Sequence, residues 1–84
     1  MLGDVLMQRA FICITTEPSS LKKVLENIKA IDGVEFANIV FGGYDICFGL
    51  KEENLDKLKN VLTENITKNN NVRATLTLFE AGQE

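Results

Sequence analysis

The pattern of apolar and polar residues divides the 84-residue chain into alternating extended and helical segments. Residues 8–16 are rich in β-branched and apolar side chains, which predicts a strand. Residues 17–20 interrupt this run with a proline and offer a serine as the N-cap of a helix. Apolar residues then recur every three or four positions over residues 21–31, which predicts an amphipathic helix that Asp32 and Gly33 end.

The second half of the chain repeats this change of period. Residues 34–41 and 44–50 are predicted strands, joined by a tight turn at Gly42-Gly43, because glycine takes a positive φ at no steric cost. Residues 51–54 begin a second helix, whose apolar positions continue at helical spacing to residue 66. The asparagines at 69–71 predict a turn that uses the left-handed conformation, and residues 72–80 predict the last strand.

The resulting order, βαββαβ, predicts an α+β fold. With right-handed crossovers it is a ferredoxin-like fold: a four-stranded antiparallel sheet in the order fourth, first, third, second, with both helices on one face. Strand alternation assigns the side chains to the two faces. We expect the helix-covered face to carry Ala10, Ile12, Ile14, Ile46, Phe48, Leu50, Val72, Ala74, Leu76 and Leu78. We expect the uncovered face to carry Phe11, Cys13, Thr15, Asp45, Cys47, Gly49, Arg73, Thr75, Thr77 and Phe79.

Composition adds an expectation of self-association. Apolar residues make up 45% of the chain, which is more than we expect one small core to hide. We therefore predict one domain over residues 8–81, with a leader at 1–7 and a tail at 82–84, that forms at least a dimer. The aromatic and threonine residues of the uncovered face favour that face as the interface, with Phe11, Cys13, Cys47 and Phe79 as its interface residues.

Charge and terminal sequence argue against several classes of protein. The net charge is −3, and the lysines alternate with glutamates, so no basic stripe is available for nucleic acid. The N-terminus lacks the pattern of a signal peptide, and no apolar run approaches the roughly 20 residues that span a bilayer. The cytoplasm is the predicted location.

Cysteine and histidine usage gives no sign of a metal, a cofactor or a catalytic centre. Cys13 and Cys47 are isolated, and the chain has no histidine, so the ligands of a zinc site are lacking. In the cytoplasm both cysteines are expected to be reduced and to act as small hydrophobic residues on adjacent strands. No base and nucleophile pair is visible, and we expect no enzyme activity.

The most informative segment is Gly42-Gly43-Tyr44-Asp45. An acid directly after a glycine turn is not expected to be buried unpaired in a core, which places Asp45 at the rim of the sheet, where a ligand would meet it. The alternative is that Asp45 pairs locally and stabilises the hairpin, and that Tyr44 is a packing residue at the rim.

Three segments together resemble the ligand-binding (RAM) domain of the Lrp/AsnC transcription regulators. They are Gly33-Val34 after the first helix, Gly42-Gly43-Tyr44-Asp45 between the second and third strands, and residues 72–77, Val-Arg-Ala-Thr-Leu-Thr, in the last strand. Each segment alone is weak, and their agreement with the βαββαβ order makes the resemblance specific. It extends from about residue 10 to residue 79.

The resemblance implies a regulatory domain that binds a free amino acid. It implies a dimer resembling an α/β-barrel, assembly up to octamers, and an effector site between dimers. The implied ligand-binding residues are Gly42, Gly43, Tyr44, Asp45, Thr75 and Thr77. Regulators of this family carry a helix-turn-helix, which the leader is too short to form. We therefore expect no direct DNA contact, and action either alone or together with full-length relatives.

Two other classes of protein remain as alternatives. An ACT-like small-molecule sensor has the same element order and binds amino acids, but favours a glycine in the loop after its first strand, where this chain has Thr16-Glu17-Pro18-Ser19. A small enzyme is the second, because one fold hosts many activities. Siroheme decarboxylases resemble the family but use histidines, which this chain lacks.

Overall fold

The structure, a computed structural model, describes residues 7–81. The predicted tail at 82–84 and the predicted leader, apart from Met7, lie outside the described residues. The elements follow the predicted order βαββαβ. They are β1 (Gln8–Thr16), α1 (Leu21–Lys29), β2 (Val34–Ile39), β3 (Ile46–Glu52), α2 (Leu55–Leu62) and β4 (Val72–Phe79). A 3₁₀ turn over Pro18–Ser20 precedes α1, and a π-helical turn over Thr63–Thr67 continues α2.

The strands form one antiparallel sheet in the order β2-β3-β1-β4. This is the predicted order, and the ferredoxin-like fold is confirmed. The two central strands, β1 and β3, supply all the strand residues of the buried core, and β2 and β4 form the edges. None of the helices within residues 7–81 is long and apolar enough to cross a lipid bilayer.

The hydrophobic core lies between the two helices and one face of the sheet, which we call the covered face. The alternation predicted for β1 and β3 is confirmed, because Ala10, Ile12 and Ile14 of β1 and Ile46, Phe48 and Leu50 of β3 are buried there. The helices contribute the apolar side of each amphipathic repeat. The buried apolar residues are Ala10, Ile12, Ile14, Val24, Ile28, Ile46, Phe48, Leu50, Leu58, Leu62 and Ile66.

Several predicted element ends are wrong. β3 begins at Ile46 rather than residue 44 and continues to Glu52, because Lys51 and Glu52 pair with the start of β1. The second helix therefore begins later, at Leu55, and its N-cap is Asn54, whose side-chain oxygen accepts the Lys57 N–H at 2.9 Å.

Two predicted turn details are also wrong. Ser20 precedes α1 but makes no side-chain capping hydrogen bond, since the 3₁₀ turn already occupies this end of the helix. The asparagine turn is present, but no residue other than glycine has a positive φ within residues 7–81. Instead, the Asn71 N–H donates to Oδ1 of Asn69 at 2.9 Å.

The predicted orientation of β4 is wrong, and a bulge is the cause. Thr16 of β1 pairs with Val72, but Thr15 pairs with Ala74, so Arg73 is an extra residue on β4. Val72 packs against the core as predicted. Beyond the bulge the two faces exchange, since a shift of one residue moves every side chain to the other face of the sheet.

After the bulge, β4 presents the reverse of the predicted pattern. Thr75, Thr77 and Phe79 pair with the buried residues of β1 and lie on the covered face. Ala74, Leu76 and Leu78 pair with Thr15, Cys13 and Phe11 and lie on the other face. We call that other face the open face, defined by Phe11, Cys13, Phe36, Cys47, Leu76 and Leu78.

Candidate functional site

The loop between β2 and β3 forms one end of the candidate site. It is closed by a hydrogen bond from the Val40 N–H to the Asp45 carbonyl, at 2.9 Å. Gly42 has φ of 125°, a conformation that favours glycine, and Phe41 beside it is 100% exposed. A Cβ atom added at Gly42 or Gly43 would meet nothing within 4 Å, and both residues are exposed, so this loop is accessible to a ligand.

Asp45 ties this loop to the end of β1. Its N–H donates to the Ile14 carbonyl at 2.8 Å, and its Oδ2 accepts the Thr16 N–H at 2.9 Å. This is the local pairing that the sequence left open as an alternative. The bond occupies one carboxylate oxygen, and Oδ1 has no donor within residues 7–81. Asp45 is half-buried, so that second oxygen is held at the rim of the sheet by a fixed side chain.

Thr16 is a residue of this region that the sequence analysis missed. It is 5% exposed, and its hydroxyl has no hydrogen-bond partner in the described part of the chain. A buried hydroxyl without a partner is uncommon, because its desolvation is not compensated. The sequence signal was slight: a threonine at a helix-facing position at the end of a strand, directly before an acidic residue and a proline.

Thr75 and Thr77 lie apart from the loop in a single chain. They pair with Ile14 and Ile12 on the covered face of β4, and β1 separates them from the loop. Thr75 is exposed and Thr77 is half-buried. The structure therefore brings Gly42, Gly43, Tyr44 and Asp45 together at one rim, with the two threonines on the far edge strand.

The open face is an apolar surface without helices over it. Phe36, Gly49, Phe11 and Leu78 follow one another across the four strands in register. The Phe11 and Phe36 ring centroids are 6.4 Å apart, and the Phe36 ring occupies the space that a side chain at position 49 would fill. Phe36 is 43%, Phe11 44% and Leu78 57% exposed, which is unusual for large apolar side chains grouped on one surface.

Cys13 and Cys47 occupy the next row of the open face. They lie on adjacent strands of this face as expected, but the expectation that both are reduced is wrong, because the structure joins them in a disulfide. The register is the physical reason. The two residues are directly opposite each other in an antiparallel pair, with Cα atoms 4.1 Å apart, which is within reach of a bond between their sulfurs.

Charged residues lie at the edge of the open face. At one end, Glu35 accepts from Arg9 Nε at 3.2 Å and lies 3.8 Å from Lys51 Nζ. Phe79, predicted as an interface residue beside Phe11, instead pairs with Ala10 and lies on the covered face. The apolar part of the open face on β4 is therefore formed by Leu76 and Leu78.

A shallow groove of about 410 Å³ lies on the helical side of the molecule, between the end of α1 and the π-helical turn. Amide and charged side chains dominate its lining, and none of the predicted site residues contributes to it. The lining residues are Asn27, Ala30, Ile31, Glu64, Asn65, Lys68 and Asn69. No cluster of three or more potential metal ligands occurs within residues 7–81.

Comparison with known proteins identifies relatives of this fold. Residues 9–81 match the model of the Lrp/AsnC ligand binding domain. The chain is 31% identical over 68 residues to an uncharacterized HTH-type transcriptional regulator of Pyrococcus abyssi, a match that covers 81% of this chain and 43% of that protein. The chain thus spans less than half the length of the curated relatives it matches.

Solved structures share the fold closely. A hypothetical protein from Pyrococcus horikoshii has a TM-score of 0.84 at 28% identity, and the match covers 90% of this chain and 92% of that one. E. coli AsnC has a TM-score of 0.81 at 24% identity, with 98% of this chain and 54% of that chain covered.

Proposed function

The chain belongs to the Lrp/AsnC ligand-binding domain family, and from this premise we propose that it is an amino-acid-responsive assembly domain in transcription regulation. The observation that carries the proposal is the open face. It is a large apolar surface in the middle of the sheet, and nothing in residues 7–81 covers it.

The open face has the composition of a subunit interface. Its centre is apolar, with Phe11, Phe36 and Leu78 each more than two fifths exposed, and its end carries the ion pairs of Glu35. An apolar centre with a charged rim is the usual anatomy of an interface between subunits. Two copies that meet through the same face form a closed, two-fold dimer, which buries this surface on both subunits at once.

The loop at the rim supports effector binding. A free amino acid presents an ammonium and a carboxylate, so its site needs an acid and a set of N–H or hydroxyl donors. Asp45 Oδ1 is the proposed partner of the ammonium, and the backbone N–H groups of Gly42 and Gly43 are the proposed donors to the carboxylate. Tyr44 lies in the same loop and lines the site.

The proposed site also draws on a second subunit. Thr75 and Thr77 are on the far edge strand of the same chain, so their hydroxyls reach an effector only where the loop of a neighbouring subunit approaches β4. Among proteins of the same fold, a Neisseria meningitidis transcriptional regulator, 11% identical to this chain with a TM-score of 0.82, forms a complex with L-Met. We infer an amino acid as the effector class here, bound between subunits.

The regulatory output follows from assembly. The relatives are HTH-type regulators, and this chain corresponds to less than half of their length. We propose that the domain acts in the cytoplasm by changing the oligomers that it forms, either with itself or with full-length regulators, and that any contact with DNA is made through such a partner.

A panel of free amino acids tests the effector proposal. At about 100 times its dissociation constant, a true effector raises the free energy of unfolding by about 2.7 kcal/mol, which thermal melting detects. The key variant is Asp45→Asn, because the amide oxygen still accepts the Thr16 N–H while the charge that meets the ammonium is lost. We expect the wild-type shift to disappear in Asp45→Asn, with a small loss of basal stability because the Thr16 N–H then has a neutral acceptor. No shift with any amino acid would refute effector binding.

Light scattering tests the assembly proposal independently. The single chain has a mass of 9.4 kDa, and we expect at least twice that mass at micromolar concentration. A species that stays at the mass of one chain across this range would refute pairing through the open face.

A further inference from the structure

The two cysteines of the chain lie side by side at the centre of the open face. Cys13 on β1 is directly opposite Cys47 on β3, and the two are joined by a disulfide. Both residues are half-buried, so the sulfur pair of a single chain is partly open to solvent. The chain has no third cysteine, so Cys13–Cys47 is the one disulfide that a single molecule can form.

The disulfide is not needed to align the two strands. The register of β1 and β3 extends beyond the cysteines, from Gln8 opposite Glu52 to Ile14 opposite Ile46. On the covered face, Ile12 and Phe48 next to the cysteines are fully buried and hold the same register. The bond between the sulfurs can therefore open and close while the sheet stays intact.

The neighbours of the sulfur pair are the apolar residues of the open face. Leu76 lies beside Cys13 on the β4 side, and Phe11 lies in the adjacent row. Reduction changes this surface in two ways. It replaces one bond by two thiols, which need a larger separation between the sulfur atoms, and it adds two weak hydrogen-bond donors. Both changes disturb a surface that must pack closely against a second copy.

We infer that Cys13 and Cys47 form a reversible dithiol–disulfide site that is coupled to self-association, with the disulfide form pairing more tightly. This inference rests on the pairing through the open face that the proposed function assigns. The coupling is reciprocal, because a ligand or bond that favours the dimer is itself favoured by the dimer. Pairing covers the sulfur atoms and so protects the disulfide from reduction.

The chemistry needs a small disulfide, such as oxidised glutathione, as the oxidant. The thiolate of one cysteine attacks a sulfur of oxidised glutathione, forms a mixed disulfide and releases one glutathione thiolate. The thiolate of the other cysteine then displaces the second glutathione and closes the Cys13–Cys47 bond. The protein loses two protons and two electrons, and oxidised glutathione leaves as two molecules of the thiol. A small dithiol reverses the reaction.

Sedimentation of the full chain in two redox buffers tests the inference. We expect the dissociation constant of the dimer to be about tenfold larger after reduction with a dithiol than after equilibration with oxidised glutathione, as expected when a packed surface is enlarged. The double variant Cys13→Ala/Cys47→Ala is the control, and we expect one dissociation constant in both buffers. We also expect the rate of reduction by dithiothreitol to fall as the protein concentration rises through the dissociation constant.

The outcomes separate this inference from the proposed function. Equal dissociation constants for the oxidised and reduced wild-type chain, with the disulfide verified by mass, overturn the coupling and leave pairing intact. Failure of oxidised glutathione to close the bond overturns the redox site itself. A monomer in both buffers overturns pairing and the inference together.

Discussion

The two faces of one sheet differ more than any other two regions of this molecule. On β1, Ile12 of the covered face is 0% exposed, whereas the preceding residue, Phe11 of the open face, is 44% exposed. Both faces are apolar along the central strands, so composition does not distinguish them. What distinguishes them is that the chain supplies two helices for one face and no cover for the other in residues 7–81.

This difference separates stability from assembly. Burial on the covered face stabilises the single chain, because those side chains leave water when the domain folds. The open face gains the same kind of free energy only when a second molecule covers it. Substitutions on the covered face should therefore change the free energy of unfolding. Substitutions on the open face should change the dissociation constant of the dimer.

The largest expected effect is on the covered face. Phe48 is 1% exposed, and Phe48→Ala should lower the free energy of unfolding by about 3–5 kcal/mol, through lost burial and the cavity left behind. Urea denaturation measures it. The matched control is Phe11→Ala on the neighbouring strand, which should cost the single chain less than half as much. Equal losses for the two variants would mean that the faces do not differ in their contribution to folding.

The next effect is on association through the open face. Leu78→Asp places a charge in the apolar surface and should weaken dimer formation by about 2 kcal/mol or more, close to a thirtyfold change in dissociation constant. The stability of the single chain should change little, because Leu78 is 57% exposed. Sedimentation velocity compares it with Leu55→Asp, the same substitution at an exposed position of α2, where the leucine is 40% exposed. If both variants associate alike, the open face is not the interface.

A third effect concerns the packing within the open face. The Phe36 ring lies over Gly49, so Gly49→Ala should force the ring aside and cost about 1–3 kcal/mol in unfolding free energy. Gly43→Ala should be close to neutral, since a Cβ there meets nothing within 4 Å. Combining Gly49→Ala with Phe36→Ala should recover part of the loss, which a double-mutant cycle in urea would show. Additive losses would contradict the contact.

Some features of the two faces could be predicted from the sequence, and others could not. The order of elements and the covered positions of β1 and β3 follow from local periodicity, the order of the strands follows from right-handed crossovers, and all of them are confirmed. The face of β4 beyond the bulge was predicted wrongly. The bulge at Arg73 depends on contacts with a distant segment: Thr15 Oγ1 accepts the Ala74 N–H at 3.0 Å, and Arg73 forms an ion pair with Glu17.

In the candidate site, too, contacts between distant segments were not predicted from the sequence. The disulfide joins residues 34 positions apart, and only the register of two strands places them opposite each other. The sequence placed Asp45 at the rim but left its partner open, because the Thr16 N–H that it accepts is 29 positions away and only the pairing of β1 with β3 brings the two together. Local pattern therefore predicted the elements, whereas contacts between elements decided the chemistry of the rim and of the open face.

The smallest expected effect lies on neither face of the sheet. Lys57 Nζ and Glu53 Oε2 are 2.7 Å apart at the start of α2, and both side chains are largely in solvent. The hydrogen bond from Lys57, and then its charge, lowers the pKa of Glu53 below its ordinary value of 4.5. The same pair, first through the hydrogen bond, raises the pKa of Lys57 above 10.5.

The sign of the pH dependence follows from these directions. The Glu53 contribution to stability is present above the unfolded-state pKa of its carboxyl group and is lost as the pH falls through the lowered pKa of the folded state. The Lys57 contribution is lost only as the pH rises through its raised value. Glu53→Gln should thus lower the melting temperature slightly at neutral pH and not in strong acid, and added salt should erase the difference. Glu26→Gln on α1 is the control for removing one acid. A difference between wild type and Glu53→Gln that persists in strong acid or in high salt would assign the effect to packing rather than to the ion pair.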